Sequence, residues 1–214
     1  MDYFFSILPP LLDGFSVTLQ VFFATIIFSI PLGLVLALAR ISDFKILSSL
    51  TGFYIWLLRG TPLMLQLFFF YFALPELGIL LPDFSAALAA FALNYAAYFA
   101  EIFRAGIQAI DRGQYEAAKT LGMTYTQTMR HIILPQVIRH ILPPTSNEII
   151  TLVKDTSLIY VLAMNDLMRI TRSIVQRDFN TFPFFVAAIF YLGMTLILTW
   201  IFKDLEKRYS SYND

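Results

Sequence analysis

The chain has 214 residues, 58% of them hydrophobic and only 14% charged, with zero net formal charge, no cysteine and two histidines. Soluble domains carry about 25% charged residues, so this deficit, a mean hydropathy of +0.69 and several long apolar runs place the chain in a bilayer. Zero net charge removes the electrostatic case for nucleic acid. The lack of cysteine excludes disulfides and thiolate metal or redox sites, and His131 and His140 both flank one polar segment, poor material for a metal site.

The opening MDYFFSILPP has an acid and no base before its apolar stretch, unlike a cleaved signal peptide. The expected fold class is an all-α membrane protein of about five transmembrane helices, forming one domain over residues 1–214. The first span is expected at 15–39, behind a turn-like LLDG and kinked at Pro31. The second covers 47–73 and the third 84–107, with Asp83 as its N-cap. The fourth runs over 135–153, a shorter apolar piece SLIYVLAM follows, and the last span is 184–202.

Lysine and arginine placement sets the orientation. Arg40 and Lys45 lie between spans one and two, Arg112, Lys119, Arg130 and Arg139 between three and four, and Lys203, Lys207 and Arg208 after the last. The LPELGILLPD loop between spans two and three has two acids and no base. An outside N-terminus and a cytoplasmic C-terminus fit these positions, whereas Arg169, Arg172 and Arg177 run against them.

Between spans three and four the chain turns polar: EAAKTLGMTYTQTMRHIILPQ, residues 116–136. QYEAAKTL is a good helix former, and Gly122 is placed to end that helix in the left-handed conformation. Thr124 with Gln127 three residues on is a capping-box pattern for a second short helix, and Pro135 suits the first turn of span four. The result is a compact knob at the membrane surface, over residues 112–135.

The spacing E-A-A, three residues, Gly, nine residues, Ile, one residue, Leu-Pro stands complete in Glu116, Ala117, Ala118, Gly122, Ile132, Leu134 and Pro135. It resembles the signature loop of permease subunits of bacterial ABC importers. RGTPLMLQ, NYAAYFAEIFRAGI, LPPTSNEII and LVKDTSL resemble the polar amino-acid permease subfamily in particular, over nearly the whole chain. The resemblance implies a type I importer permease in the bacterial plasma (inner) membrane. It implies that the loop couples to two cytoplasmic ATPase subunits, beside a second permease subunit (a copy or close homologue), with an external substrate-binding protein above. ATP and magnesium would belong to the partner ATPase, with no cofactor on this chain and no catalysis by it. Consistently, no glycine is followed by lysine, so the chain has no phosphate-binding loop of its own.

Polar groups inside spans are costly and are functional candidates. Counted along each span at about 1.5 Å per residue, Arg59 to Pro62, Asn94, Tyr98 and Glu148 all fall within roughly 15–20 Å of one face. At Gly60, Thr61 and Pro62 the helix can break, since Pro62 cannot serve the carbonyl of Leu58 and Thr61–Pro62 reads as an N-cap and first-position pair. A simple proline kink is the competing reading.

Glu148 shares an arc with Thr145 and Thr151, behind an LPP that should distort the helix. A midplane carboxylate calls for a cation: a basic substrate, the α-ammonium common to all amino acids, Arg59, or a proton. Glu148, Thr145, Asn94, Tyr98, Gly60, Thr61 and Pro62 are therefore the candidate substrate contacts. Arg59, Glu101, Arg104, Lys154 and Asp155 are gate or ion-pair candidates, with an interfacial Lys154–Asp155 pair as the default. The alanines Ala86, Ala87, Ala89, Ala90, Ala96 and Ala97 mark close helix packing, with a dimer seam as one candidate.

The expected function is inward, ATP-driven movement of a polar, most simply basic (Arg, Lys or His) amino acid. The alternatives are glutamine- or glutamate-type substrates, an ion-coupled secondary carrier, or a membrane scaffold without transport.

Overall fold

A computed structural model describes residues 2–210, and among these every regular element is helical. Helix α1 is Asp2–Ile41, far longer than the expected first span. LLDG is not a turn. Gly14 lies within the helix, and its missing side chain makes room for another segment: a Cβ there would come within 2.9 Å of the Asp166 carbonyl oxygen. Pro9 and Pro10 remove N–H groups that would serve the carbonyls of Phe5 and Ser6, both exposed residues, and α1 also continues through Pro31. Forty residues at about 1.5 Å each make roughly twice the ~30 Å hydrocarbon thickness.

The second span is two helices. Helix α2 (Lys45–Gly60) and α3 (Leu63–Glu76, with a π-helical turn at Phe69–Ala73) meet at 104°. The break falls at RGTP, one position away from the expected cap: Thr61 ends α2, Pro62 is the N-cap of α3, and α3 starts at Leu63. Likewise Pro82, not Asp83, caps α4 (Asp83–Gln108).

Helix α4 is the central post. Ala86, Ala87, Ala90, Ala96, Ala97 and Ala100 are buried within the subunit, where the main neighbour of α4 is α1. Gly33 of α1 lies so close that a Cβ would sit 2.7 Å from the Phe99 Cβ. These alanines are consumed inside one chain and are not free to form a dimer seam; of the set expected there, Ala89 alone is half-buried rather than buried.

Two short elements follow, α5 (Arg112–Thr120) and α6 (Tyr125–Thr128). A π-helical turn, Met129–Ile133, joins α6 to α7 (Leu134–Asp155), which passes through Pro143 and Pro144 unbroken. Among the described residues, three helices (α1, α4 and the last) are long and apolar enough to cross a membrane, and the bent α2–α3 pair, taken as one span, makes a fourth. The expected fourth span, now α7, has the length at 22 residues but not the apolarity, because it carries Arg139, His140, Glu148, Lys154 and Asp155.

SLIYVLAM is a 3-10 segment, Thr156–Leu162, leading to α8 (Leu167–Asp178) and α9 (Phe182–Ser210). Helix α8 lies along the first half of α1. Leu167 N–H donates to Thr18 Oγ1 at 3.2 Å, and Tyr3 Oη donates to Asp178 Oδ2 at 2.9 Å. The arginines that ran against the charge pattern have local partners. Arg169 donates to the Tyr160 carbonyl at 3.4 Å, Arg172 lies 5.9 Å from the Tyr160 ring, and Arg177 pairs with Asp178 at 2.6 Å.

Candidate functional site

The bend between α2 and α3 frees the Leu58 carbonyl, since Pro62 has no N–H to offer. Two side chains take its place: Asn94 Nδ2 donates to it at 3.0 Å and Gln66 Nε2 at 2.8 Å. Asn94 also donates to Gln66 Oε1 at 3.0 Å. Gln66 Nε2 reaches Thr61 Oγ1 at 2.8 Å, and that hydroxyl donates in turn to the Leu57 carbonyl at 2.9 Å. Both Asn94 and Gln66 are buried. The break is therefore an elbow braced by side-chain hydrogen bonds, and much of the polarity of Asn94 and Thr61 is spent holding it. Gln66 escaped the sequence reading; its signal is a lone amide in the otherwise apolar LMLQLFFFYF.

Beside the elbow is a cavity of about 600 Å³, lined by Arg59, Gly60, Thr61 and Pro62 from the bend, by Asn94, Tyr95 and Tyr98 from α4, and by Glu148, Thr151 and Asp155 from α7. Its size falls within the 300–1,000 Å³ range typical of small-molecule sites. Helix rise puts the three spans at one level, and the folded chain brings them to one cavity. Thr145 is the exception: it does not line the cavity, and its buried hydroxyl has no protein partner.

A second cavity of about 370 Å³ is lined by Glu101, Ala105, Gly106, His140 and Pro144. Arg59, Tyr98 and Glu148 line both cavities and form the waist between them. There the Arg59 guanidinium lies 5.2 Å from the Tyr98 ring centroid, a cation–π arrangement. Arg59 and Glu148 form no ion pair among the described residues, so the reading of Glu148 as half of a structural bridge does not describe this conformation.

Asp155 is not half of an interfacial pair with Lys154. It lines the first cavity and accepts from Tyr95 Oη at 2.8 Å, while Lys154 lies on a separate apolar groove with Met168, Phe184 and Tyr191. Successive helical residues point about 100° apart, which sends the two side chains to different faces. Glu101 and Arg104 do form a local ion pair, with Arg104 Nε 2.8 Å from Glu101 Oε2.

In the polar knob, Gly122 adopts φ +73°. Its N–H donates to the Lys119 carbonyl at 3.0 Å and that of Met123 to the Ala118 carbonyl at 3.1 Å, the paired bonds that close a helix with a left-handed residue. The Thr124–Gln127 capping box opens α6. Pro135 stands in the first turn of α7. Ala118 is fully buried and Ile132 and Pro135 half-buried, above a small core of Ile110, Ile133 and Val137. Glu116, Ala117 and Leu134 are exposed. So are Leu121 and Tyr125, at 77% and 76%, an apolar pair at the knob's tip that pattern reading passed over.

A membrane-embedded helical bundle with a polar cavity at a broken helix, and a rigid helical knob at one end, defines a transport subunit. Residues 29–211 match the family of binding-protein-dependent transport system inner membrane components. The chain belongs to that family: it is an inner-membrane permease, and not itself an enzyme. It is 41% identical over 206 residues to the arginine transport system permease protein ArtQ of Bacillus subtilis, covering 95% of this chain and 94% of that one. It is 36% identical over 212 residues to a putative glutamine transport system permease protein GlnP of Rickettsia felis, covering 97% of each. Among solved structures, an amino acid ABC transporter crystallised with histidines matches with a TM-score of 0.88 at 37% identity, over 96% of this chain and 97% of that one. The MetNI methionine ABC transporter matches at 18% identity and a TM-score of 0.73, over 94% of this chain and 96% of that one, a likeness of fold.

Proposed function

We propose that the chain is the permease subunit of an ATP-driven importer for polar amino acids, with a preference for basic ones. The observation that carries this is the charge set of the first cavity: one guanidinium, Arg59, with two carboxylates, Glu148 and Asp155. An amino-acid α-carboxylate suits Arg59. The α-ammonium and a basic side chain would then share the two carboxylates, each charge meeting an opposite one. The 41% identity to ArtQ supports a basic substrate.

A glutamine-class substrate is the second reading, favoured by the GlnP relative. In that case one carboxylate binds the α-ammonium and the other stays with Tyr95. The ion-coupled carrier and the scaffold raised by the sequence give way to membership of a binding-protein-dependent family.

Residues 112–135 are the coupling loop in this reading. Ala118, Gly122, Ile132 and Pro135 hold the knob's shape, while Glu116, Ala117 and Leu134, with Leu121 and Tyr125, meet a cytoplasmic ATPase. ATP and magnesium are bound and turned over there. Two permease subunits, two ATPase subunits and an external binding protein complete the assembly, with this chain's N-terminus outside and its C-terminus in the cytoplasm.

The test is binding of labelled arginine and labelled glutamine to the purified permease–ATPase complex, in wild type and Glu148→Gln. Arginine binding lost by at least tenfold in the variant, with glutamine bound weakly by both, is the expected result. Arginine binding untouched by the substitution would remove Glu148 from the site.

A further inference from the structure

The loop between α1 and α2 holds a polar cavity that shares no lining residue with the two cavities of the candidate site. It has a volume of about 490 Å³ and is lined by Arg40, Ser42, Lys45, Ser48, Ser49 and Gly52. Two cationic side chains and three hydroxyls face one space, and no carboxylate lines it. Asp43, the nearest acid in sequence, is exposed and stands outside the lining.

Arg40 is held in place. Its Nη1 donates to Ser48 Oγ at 2.7 Å, and that hydroxyl donates to the Arg40 carbonyl at 2.7 Å. A Cβ at position 52 would sit 3.1 Å from Arg40 Nε, so Gly52 lets the guanidinium lie flat against α2. The Nε and Nη2 N–H groups have no protein acceptor among the described residues, and Lys45 is in no ion pair there. A fixed guanidinium with free donors, beside a mobile ammonium and hydroxyls, matches a tetrahedral oxyanion.

The surroundings decide which oxyanion. Large apolar side chains stand exposed around the cavity: Leu38 of α1, Phe44 at the loop, and Ile46, Leu50 and Phe53 of α2, the last three at 64%, 64% and 59%. A soluble anion would make no contact with them. A lipid phosphate carries acyl chains that cover them. Basic pockets between transmembrane helices at the membrane surface are where anionic headgroups bind.

We propose that Arg40, Lys45, Ser42 and Ser49 bind the phosphate of an anionic phospholipid, with Ser48 holding Arg40 in place, and that the acyl chains lie along the exposed apolar face of α2. In the orientation proposed above this is the cytoplasmic leaflet. The bound lipid pins the start of α2, the arm that leads to the Gly60–Pro62 elbow, to the membrane surface.

The test reconstitutes the permease–ATPase complex in nanodiscs of equal phosphatidylglycerol and phosphatidylcholine and counts, by native mass spectrometry, the lipids that each permease subunit retains. Wild type should retain phosphatidylglycerol in preference to phosphatidylcholine. Lys45→Gln, which removes an exposed side chain with no protein partner, should weaken that retention about fivefold, and Arg40→Gln with Lys45→Gln further, while Lys45→Arg should restore it. Equal retention of both lipids, or an unchanged Lys45→Gln, would overturn the proposal. So would loss of the retained lipid to millimolar inorganic phosphate, which assigns the cavity to a soluble anion. Lipid retention is read without transport, so its failure is distinct from failure of the import function.

Discussion

The Tyr95 hydroxyl donates to Oδ2 of Asp155 at 2.8 Å, joining the middle of the central helix α4 to the C-terminal end of α7 across the polar cavity. Tyr95 is 2% exposed, so its phenol has nowhere else to turn. Tyr95→Phe keeps the ring and leaves the carboxylate short of a donor. The expected cost is about 1–3 kcal/mol, that of an unsatisfied buried group, read as a lower melting temperature of the purified complex. A variant that melts like wild type would mean that solvent already serves Asp155.

The elbow makes a separate prediction. Asn94 and Gln66 both serve the Leu58 carbonyl. Asn94→Leu and Gln66→Leu should each destabilise by about 1–3 kcal/mol. The double variant should cost less than the sum, because the two amides also bond each other. A double-variant cycle of melting temperatures checks this. If Asn94→Leu instead abolished substrate binding at unchanged stability, Asn94 would belong to the substrate.

Asp166 gives a pH dependence. Burial raises its carboxyl from the ordinary 3.8 to about 6, opposed in part by the N–H groups of Met168 and Arg169. The folded state therefore holds this proton more tightly than the unfolded chain does. Its contribution to stability is full below about pH 4 and is lost as pH rises through about 6. Asp166→Asn keeps an acceptor for the α8 cap and removes the titration. Melting temperatures measured from pH 4 to 7 should fall for wild type relative to the variant as pH rises. Parallel curves would dissociate Asp166 from that window.

Gly122→Pro tests the knob. Proline is locked near φ −65°, against the observed +73°, and has no N–H for the Lys119 carbonyl. The α5–α6 corner should open, and co-purification of the ATPase subunit with the permease should drop by at least tenfold, while amino-acid binding to the permease persists. Retention of the ATPase at wild-type levels would take the coupling role away from this corner.

The readings that succeeded on sequence alone depend on residues a few positions apart. The Thr124–Gln127 box, the left-handed Gly122 and the break before Pro62 are local: each follows from a side chain bonding its own turn, or from an N–H that proline lacks. Their bounds slipped by a residue, as at Pro62 and Pro82, because either neighbour can occupy a cap. The convergence of Arg59, Tyr98 and Glu148 was legible as depth, since helix rise is constant.

Direction around the helix was not legible, because it depends on which neighbour packs where. Sequence composition by itself determined that this chain lies in a membrane, where its helices must satisfy their own backbones, and that a polar knob interrupts them. Only the tertiary structure decided that Gly14 receives Asp166 rather than turning the chain, and that the alanine face of α4 is consumed by α1 and α2. It also decided that Leu58 is served from 36 residues away and Asp155 from 60, while Lys154 faces a different groove. The physical reason is that an orphaned polar group inside a bilayer must find a partner, and sequence spacing says nothing of which distant side chain the packed helices bring within reach.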